Sequence, residues 1–176
     1  MGGKVLLSPE QYLATYYERE PEYVRGELKE KPVPDRLHAR IQGLLIRLLG
    51  ALESAHNVSA EPEVRCRVAP DVFRLPDVAL FPLDMSFELL PTAPPLLVIE
   101  IVSKDERHVD LIEKLQDYET WGVPRIWVVN PWTRQLALWK DNALVTVDAL
   151  TLPEFQFEVR MEQLLRRIQL NETYGQ

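Results

Sequence analysis

Cysteine is nearly absent from this chain: Cys66 is the one cysteine in 176 residues. No internal disulfide can form, so the fold relies on its core. In Glu63-Val64-Arg65-Cys66-Arg67-Val68 the cysteine alternates with charged residues and falls on the apolar side. That is the place of a small core residue rather than a nucleophile or a ligand. Long apolar runs are missing as well. The most apolar long segment, residues 41–52, is cut by Gln42 and Arg47 and cannot span a bilayer. The opening Met1-Gly2-Gly3-Lys4-Val5-Leu6-Leu7 has no long apolar stretch or cleavage site, and Leu6 breaks the myristoylation pattern. The expectation is a soluble, cytoplasmic protein with no membrane partner. A positive balance is lacking too. The net charge of -7 argues against whole-molecule attraction to nucleic acid or anionic membrane, but leaves room for a local basic patch. There is no repeat, low-complexity tract or internal linker, and the apolar share of 46% suffices for a real core. A single domain spanning residues 1–176 is expected.

What is present centres on Leu96-Leu97-Val98-Ile99-Glu100-Ile101-Val102-Ser103. Its length and branched residues fit a strand buried on both faces, as in the middle of a parallel sheet. A carboxylate inside such a strand must be neutralised, paired or bound to a metal. A second carboxylate keeps similar company in Leu75-Pro76-Asp77-Val78-Ala79-Leu80-Phe81. The two together are the first candidate site.

The flanking segments supply a frame. Ser8-Pro9-Glu10-Gln11 is a capping box opening a helix expected to reach about Glu18. Tyr23 to Lys29 alternates like a strand kinked at Gly26, and Pro32 and Pro34 mark a turn. Asp35 is the expected N-cap of a long helix with Leu37, Ile41, Leu44, Leu45, Leu48 and Leu52 on one face and Asn57 at its end. Val58 to Val68 and Leu75 to Phe81 read as two strands around the turn Ala69-Pro70-Asp71. Leu83 to Pro91 reads as a loop. Asp105 is the expected cap of a second long helix, ending at Gly122, before a buried strand from Pro124 to Asn130. Strand, helix and strand at this spacing imply a parallel, right-handed crossover. Gln135–Trp139 and Leu144–Val147 form a hairpin about Asp141-Asn142, and Met161–Ile168 a closing helix. The expected fold is α/β: a mixed sheet flanked by helices, core order α-β-β-β-α-β, with an N-terminal helix and strand and a C-terminal hairpin and helix added.

In the second long helix Asp110, Lys114 and Tyr118 follow at four-residue intervals and line up along one side. Lys114, at the edge of the buried stripe, can send its ammonium over the sheet toward the carboxylates. Two carboxylates and a lysine suit a divalent cation, activated water and a phosphodiester. Position 102, on the same strand face as Glu100, is Val and carries no charge, and Lys104 falls where a helix start is expected.

The matching stretches are Pro76-Asp77-Val78-Ala79, Glu100-Ile101-Val102-Ser103, then Asp110, Lys114, Tyr118, Gly122-Val123-Pro124 and Trp127-Val128-Val129-Asn130-Pro131. Tyr23, Gly26-Glu27-Leu28 and His38 add an N-terminal signature. This pattern resembles the PD-(D/E)XK nuclease superfamily, and within it the Uma-type family of putative restriction endonucleases. The resemblance implies a restriction-endonuclease-like core and metal-dependent cleavage of phosphodiester bonds, in DNA foremost. It makes Asp77 and Glu100 ligands of Mg²⁺ or Mn²⁺, with the Ile101 carbonyl as a third, Lys114 the catalytic lysine, and Glu27 and His38 further candidates. Departures are Val102 at the superfamily's lysine position, Lys104 for a common proline, Arg125 for an acidic residue and Asn130 for an aspartate.

Plainer readings stand beside these. Asp77 can be a strand-end residue, and Glu100 a structural partner of Lys114. His38 can be a helix-surface or core-edge residue, and the four tryptophans packing residues. Arg36, Arg40 and Arg47 share one helix face, which is either solvated or the basic patch that meets nucleic acid. Leu136, Leu138 and Trp139 on the hairpin, together with pairing in related nucleases, suggest a homodimer. Two other functions stay open: a catalytically silent nuclease-fold binding module, and a metal-dependent reaction on a small phosphorylated substrate.

Overall fold

A computed structural model describes residues 6–166. Chain order runs α1 (Pro9–Ala14), β1 (Glu22–Val24), β2 (Glu27–Lys29), α2 (Arg36–Gly50), α3 (Glu53–His56), β3 (Val58–Pro62), β4 (Cys66–Ala69) and β5 (Val72–Arg74). It continues with β6 (Val78–Pro82), β7 (Leu97–Ile101), α4 (His108–Trp121), β8 (Ile126–Asn130), β9 (Gln135–Lys140) and β10 (Ala143–Val147), then β11 (Ala149–Leu152), β12 (Phe157–Arg160) and α5 (Met161–Leu164). A six-stranded sheet has the order β10-β9-β8-β7-β6-β3, a four-stranded one β2-β1-β5-β4, and β11-β12 form a hairpin. The large sheet is mixed: β7 and β8 are parallel across the α4 crossover, and its other pairs are antiparallel. Its first three strands, β3, β6 and β7, lie between α2 and α4 in sequence, which is the expected α-β-β-β-α-β order with β4 and β5 inserted.

Four boundaries depart from expectation. Val58–Val68 is two strands, not one. The chain leaves β3 at Glu63, whose φ is 51°, and β4 joins the other sheet. Tyr23–Lys29 is a hairpin rather than a kinked strand. Arg25 and Gly26, at φ 51° and 94°, make the two-residue left-handed turn that suits the strand twist. The second long helix starts at His108, three residues after Asp105, with Arg107 in the N-cap position. The first helix stops at Ala14 rather than near Glu18. The β11-β12 hairpin has no counterpart in the sequence reading. The closing helix is seen over Met161–Leu164, and the end of its expected span lies outside the described residues.

The helix caps agree with the sequence. Ser8 and Gln11 form the capping box, and Asp35 accepts from the His38 N–H at 2.8 Å. Gly122, at φ 98°, ends α4: its N–H reaches the Glu119 carbonyl while Val123 N–H reaches Tyr118. α2 lays Ile41, Leu45 and Leu49 on one face of the large sheet, where Leu97, Ile99 and Ile101 of β7 meet them. Each such fully buried side chain contributes ~1.5–3 kcal/mol. The opposite face takes Val98, together with Leu111, Leu115 and Tyr118 of α4, and Cys66 and Val72 of the small sheet. α4 is thus packed between the two sheets. α1 covers the small sheet through Tyr12, which packs with Tyr23 and Phe73.

The hairpin of β9 and β10 adds to the large sheet, so Leu136 and Trp139 are buried and Leu138 packs on the core of the same chain. The apolar argument for a homodimer therefore fails. Trp127 is buried in the core, and Trp121, Trp132 and Trp139 donate to Thr92 O, Val102 O and Glu119, so the tryptophans are packing residues. No helix among the described residues is long and apolar enough to cross a membrane.

The small sheet is tied to α4 by a buried ionic cluster. Arg74, 1% exposed, donates to Glu22 at 2.9 Å and to Asp117 at 2.9 and 2.5 Å. Glu22 also accepts from the Leu75 N–H at 3.1 Å. Removing the arginine would strand two buried carboxylates. We expect Arg74→Leu to lower stability by ~3–5 kcal/mol in urea unfolding. A loss below ~1 kcal/mol would mean that solvent reaches Glu22 and Asp117.

Candidate active site

The register of β6 on β7 pairs Val78 with Ile99, so one step further sets Asp77 across from Glu100. Side chains alternate along β7: Leu97, Ile99 and Ile101 face α2, whereas Val98 and Glu100 face α4. Asp77 and Glu100 are 2% and 1% exposed. They border a cavity of about 150 Å³, whose other walls include Lys31, His38, Glu106 and Lys114.

Every carboxylate oxygen of the pair is engaged. Asp77 Oδ1 accepts from Lys31 Nζ at 2.8 Å; Oδ2 accepts from the Ile101 N–H at 2.7 Å and lies 3.2 Å from His38 Nε2. Glu100 Oε2 accepts from Lys114 Nζ at 3.1 Å, and Oε1 from the Tyr118 hydroxyl at 2.8 Å. Lys114 and Tyr118 are neighbours on α4, so one helical turn delivers both donors. Lys114 is also 3.5 Å from Glu106 and 3.8 Å from Glu22.

The protonation equilibria divide the two carboxyls. Burial penalises the Asp77 carboxylate, but Lys31 and then His38 outweigh it and hold Asp77 well below the usual carboxylate range. Burial dominates at Glu100 and pushes it up to about 7; Lys114 opposes this and the charge on Asp77 adds to it. Burial also works against the ammonium of Lys114, yet Glu100 and Glu22 keep it charged and its pKa raised. His38 is raised as well, because its bond to Asp77 outweighs burial. Two carboxyls side by side thus hold their protons with opposite tendencies, an arrangement that suits separate chemical roles.

Most of the residues anticipated from sequence converge here. Asp77, Glu100, Lys114 and His38 line the cavity, and so does Ile101, which enters through its N–H. Glu27 does not line it; it sits half-buried in β2. Asp110 lies at the exposed start of α4 near Lys29 and Arg107. Further members were not anticipated. Arg19 and Glu106 line the cavity too. Glu22 is buried beside Lys114, and Lys31 holds Asp77. In sequence Lys31 stands among the charges Lys29-Glu30-Lys31, with no periodicity that links it to Asp77. Arg40 and Arg47 lie apart from the cavity. With Leu44, Gln163 and Arg166 they line an exposed groove of about 340 Å³, while Arg36 is exposed at the start of α2 and does not border it.

Among the described residues, no group of three or more His, Cys, Asp and Glu is arranged to hold a metal ion. The donor chemistry nevertheless fits a hard divalent cation. From α4 inward the buried charges alternate in sign through Asp117, Arg74, Glu22, Lys114 and Glu100. Asp77 borders the same cavity as Glu100, with Lys31 and His38 on its oxygens, so the two carboxylates can face one cation between them. Two carboxylate side chains suit a small cation that keeps several waters and takes further ligands from a phosphate.

The model of a family described as Uma2, putative restriction endonuclease, matches residues 9–170. Among solved structures, the chain resembles that of a putative nuclease belonging to DUF820 from Anabaena variabilis. The TM-score is 0.79 at 18% identity, covering 90% of this chain and 97% of that one. A search of curated proteins finds no match.

The shift at Glu100 has a measurable sign. Between its ordinary value of 4.5 and about 7, the folded protein holds a proton that the unfolded chain has released. Glu100 therefore contributes stability that is present below 4.5 and lost as pH rises through about 7. Asp77, shifted the other way, loses its contribution only in acid below 3.8. In chelator, the Tm of the wild type relative to Glu100→Gln should fall across that window. A flat difference would mean that Glu100 stays ionised throughout.

Proposed function

The chain belongs to the Uma2 family of putative restriction endonucleases, and on that premise we propose that it hydrolyses phosphodiester bonds in nucleic acid, DNA foremost, at the cavity shared by Asp77 and Glu100. One observation carries the reading: two carboxylates buried side by side, Asp77 just before β6 and Glu100 in β7, with a buried lysine from α4 on one of them. Asp77 and Glu100, with the Ile101 carbonyl, would hold Mg²⁺ or Mn²⁺, which supplies Lewis acidity and an activated water when bound. Lys114 keeps its ammonium against Glu100, where it orients an attacking oxygen and offsets charge building on the phosphoryl group. Tyr118 fixes the other Glu100 oxygen, so that carboxylate cannot swing away from the cavity. Glu22 braces Lys114 from behind, and His38 braces Asp77.

Nucleic-acid backbone needs clustered cations outside the cavity. Arg40 and Arg47, with Arg166 across the groove, form that surface, and Arg36 continues it along α2. A homodimer would let two sites act on opposite strands, but the apolar hairpin that suggested one is covered by its own chain. The second reading, a catalytically silent binding module, draws on the pairing already noted. Both carboxylates have all their oxygens satisfied by the protein itself.

Calorimetry with Mn²⁺ and cleavage of mixed DNA and RNA test the enzyme reading. Asp77→Ala should abolish the Mn²⁺ heat. Lys114→Ala should keep Mn²⁺ binding and lower cleavage by ~10²-fold or more. Full activity in Lys114→Ala, with loss in Lys104→Ala, would move the chemistry to Lys104. Mn²⁺ binding and DNA binding without any cleavage would establish the silent module.

Replacing Arg40, Arg47 and Arg166 with Gln should weaken DNA binding and flatten its dependence on log salt by about 2–3, close to one per phosphate contact. An unchanged slope would place the contact surface elsewhere.

A further inference from the structure

The cavity contains a lysine beyond the one used above. Lys31 comes from the segment between β2 and α2, not from α4 or the large sheet. Its ammonium donates to Asp77 Oδ1 at 2.8 Å and to the Leu75 carbonyl at 2.7 Å. The side chain is 14% exposed, against 3% for that of Asp77, so it closes the carboxylate off from the open side of the cavity. The next residue fixes its course. Pro32 restricts the backbone at Lys31 to extended conformations, and the Pro32 carbonyl accepts from Arg19 at 2.6 Å. The ammonium also lies in the field of Glu100, which raises its affinity for its proton alongside Asp77. Lys31 therefore occupies the oxygen, and part of the negative potential, that a divalent ion would use.

Resting on the metal reading above, we propose that Lys31 is the resident counter-cation of Asp77, displaced by an incoming divalent ion. In the metal-free protein it neutralises a carboxylate that would otherwise repel Glu100. When the ion takes Asp77 Oδ1, it repels the ammonium at close range, and the ammonium turns toward the open side. There it sits with Arg19, which also lines the cavity, and faces the position from which an anionic substrate must enter. Lys31 thus weakens metal binding and, once displaced, adds a positive charge for phosphate. Asp77 itself stays held by His38 and by the Ile101 N–H after the lysine moves.

The test uses Mn²⁺ alone with the full chain. Lys31→Met keeps most of the apolar stem and removes the charge; Lys31→Gln removes the charge and keeps a donor for the Leu75 carbonyl. Both should bind Mn²⁺ roughly 10-fold tighter or more by calorimetry. One charge a few Å from a cation, at an effective dielectric constant of about 20, is worth more than a single tenfold step. In the wild type, Mn²⁺ should raise acylation of Lys31 by an amine-reactive reagent, read by mass spectrometry, and this readout decides alone if both variants fail to fold. Equal or weaker Mn²⁺ affinity in the folded variants, or acylation unchanged by Mn²⁺, overturns the proposal while leaving the metal site standing. No Mn²⁺ heat in the wild type or in either variant removes the metal reading and this proposal with it.

Discussion

The structure depends on a file of buried charges that runs from the small sheet through α4 to the cavity. Asp117, Arg74, Glu22, Lys114 and Glu100 stand in contact order, alternating in sign, and all are buried. None could be in the interior alone, because an unpaired buried charge costs several kcal/mol. Together they fix how three independent elements meet: β1 and β5 of one sheet, α4, and β7 of the other. Apolar packing would let these surfaces slide by a residue. Charges that must find their opposites do not, and this specificity is a stronger reason for such a network than net stability.

Its position explains why the cavity is polar in an otherwise apolar seam. α4 meets the large sheet through Leu111, Leu115 and Tyr118, and the small sheet's Cys66 and Val72 close the same layer. The Cys66 thiol, pushed up to about 12 by burial, is inert there. At the end of this layer β6 and β7 bring their carboxylates together, and α4 presents a lysine and a tyrosine hydroxyl one turn apart. A strand and a helix hold Glu100, Lys114 and Tyr118, whereas Asp77 precedes β6 and is fixed by its bonds to the Ile101 N–H, His38 and Lys31.

How much of this was legible depended on whether the signal was local. Glu100 was visible because a carboxylate inside Leu97-Val98-Ile99-Glu100-Ile101 has no polar neighbour in sequence. Lys114 was visible because four-residue spacing places it with Tyr118 on one side of a helix. The capping residues Ser8, Asp35 and Gly122 were visible because backbone groups at helix ends need partners nearby. Lys31 and Glu22 were hidden because their partners lie far away in sequence: Lys31 meets Asp77, and Glu22 meets Arg74 and Lys114. Glu27 shares a face of the small sheet with Glu22, across from Val24, but does not border the cavity. The split at Glu63 was missed because Val58–Val68 keeps its alternation across the point where the chain changes sheets. Register within a strand leaves a periodic trace, whereas the choice of partner sheet leaves none.

The passage of the chain between the sheets has a consequence for the life of the protein in a cell. Asp77 and Glu100 belong to the large sheet and its approach, but Lys31, Arg19 and Glu22 arrive with the N-terminal segment and the small sheet. A chain emerging from the ribosome has the second group first and cannot form the cavity until β7 and α4 are made. Whatever reaction the cavity performs, no half-made or half-folded chain can perform it. The helix α4 acts as the certificate of completion, because Glu22 and Glu100 stay without Lys114 until it is made.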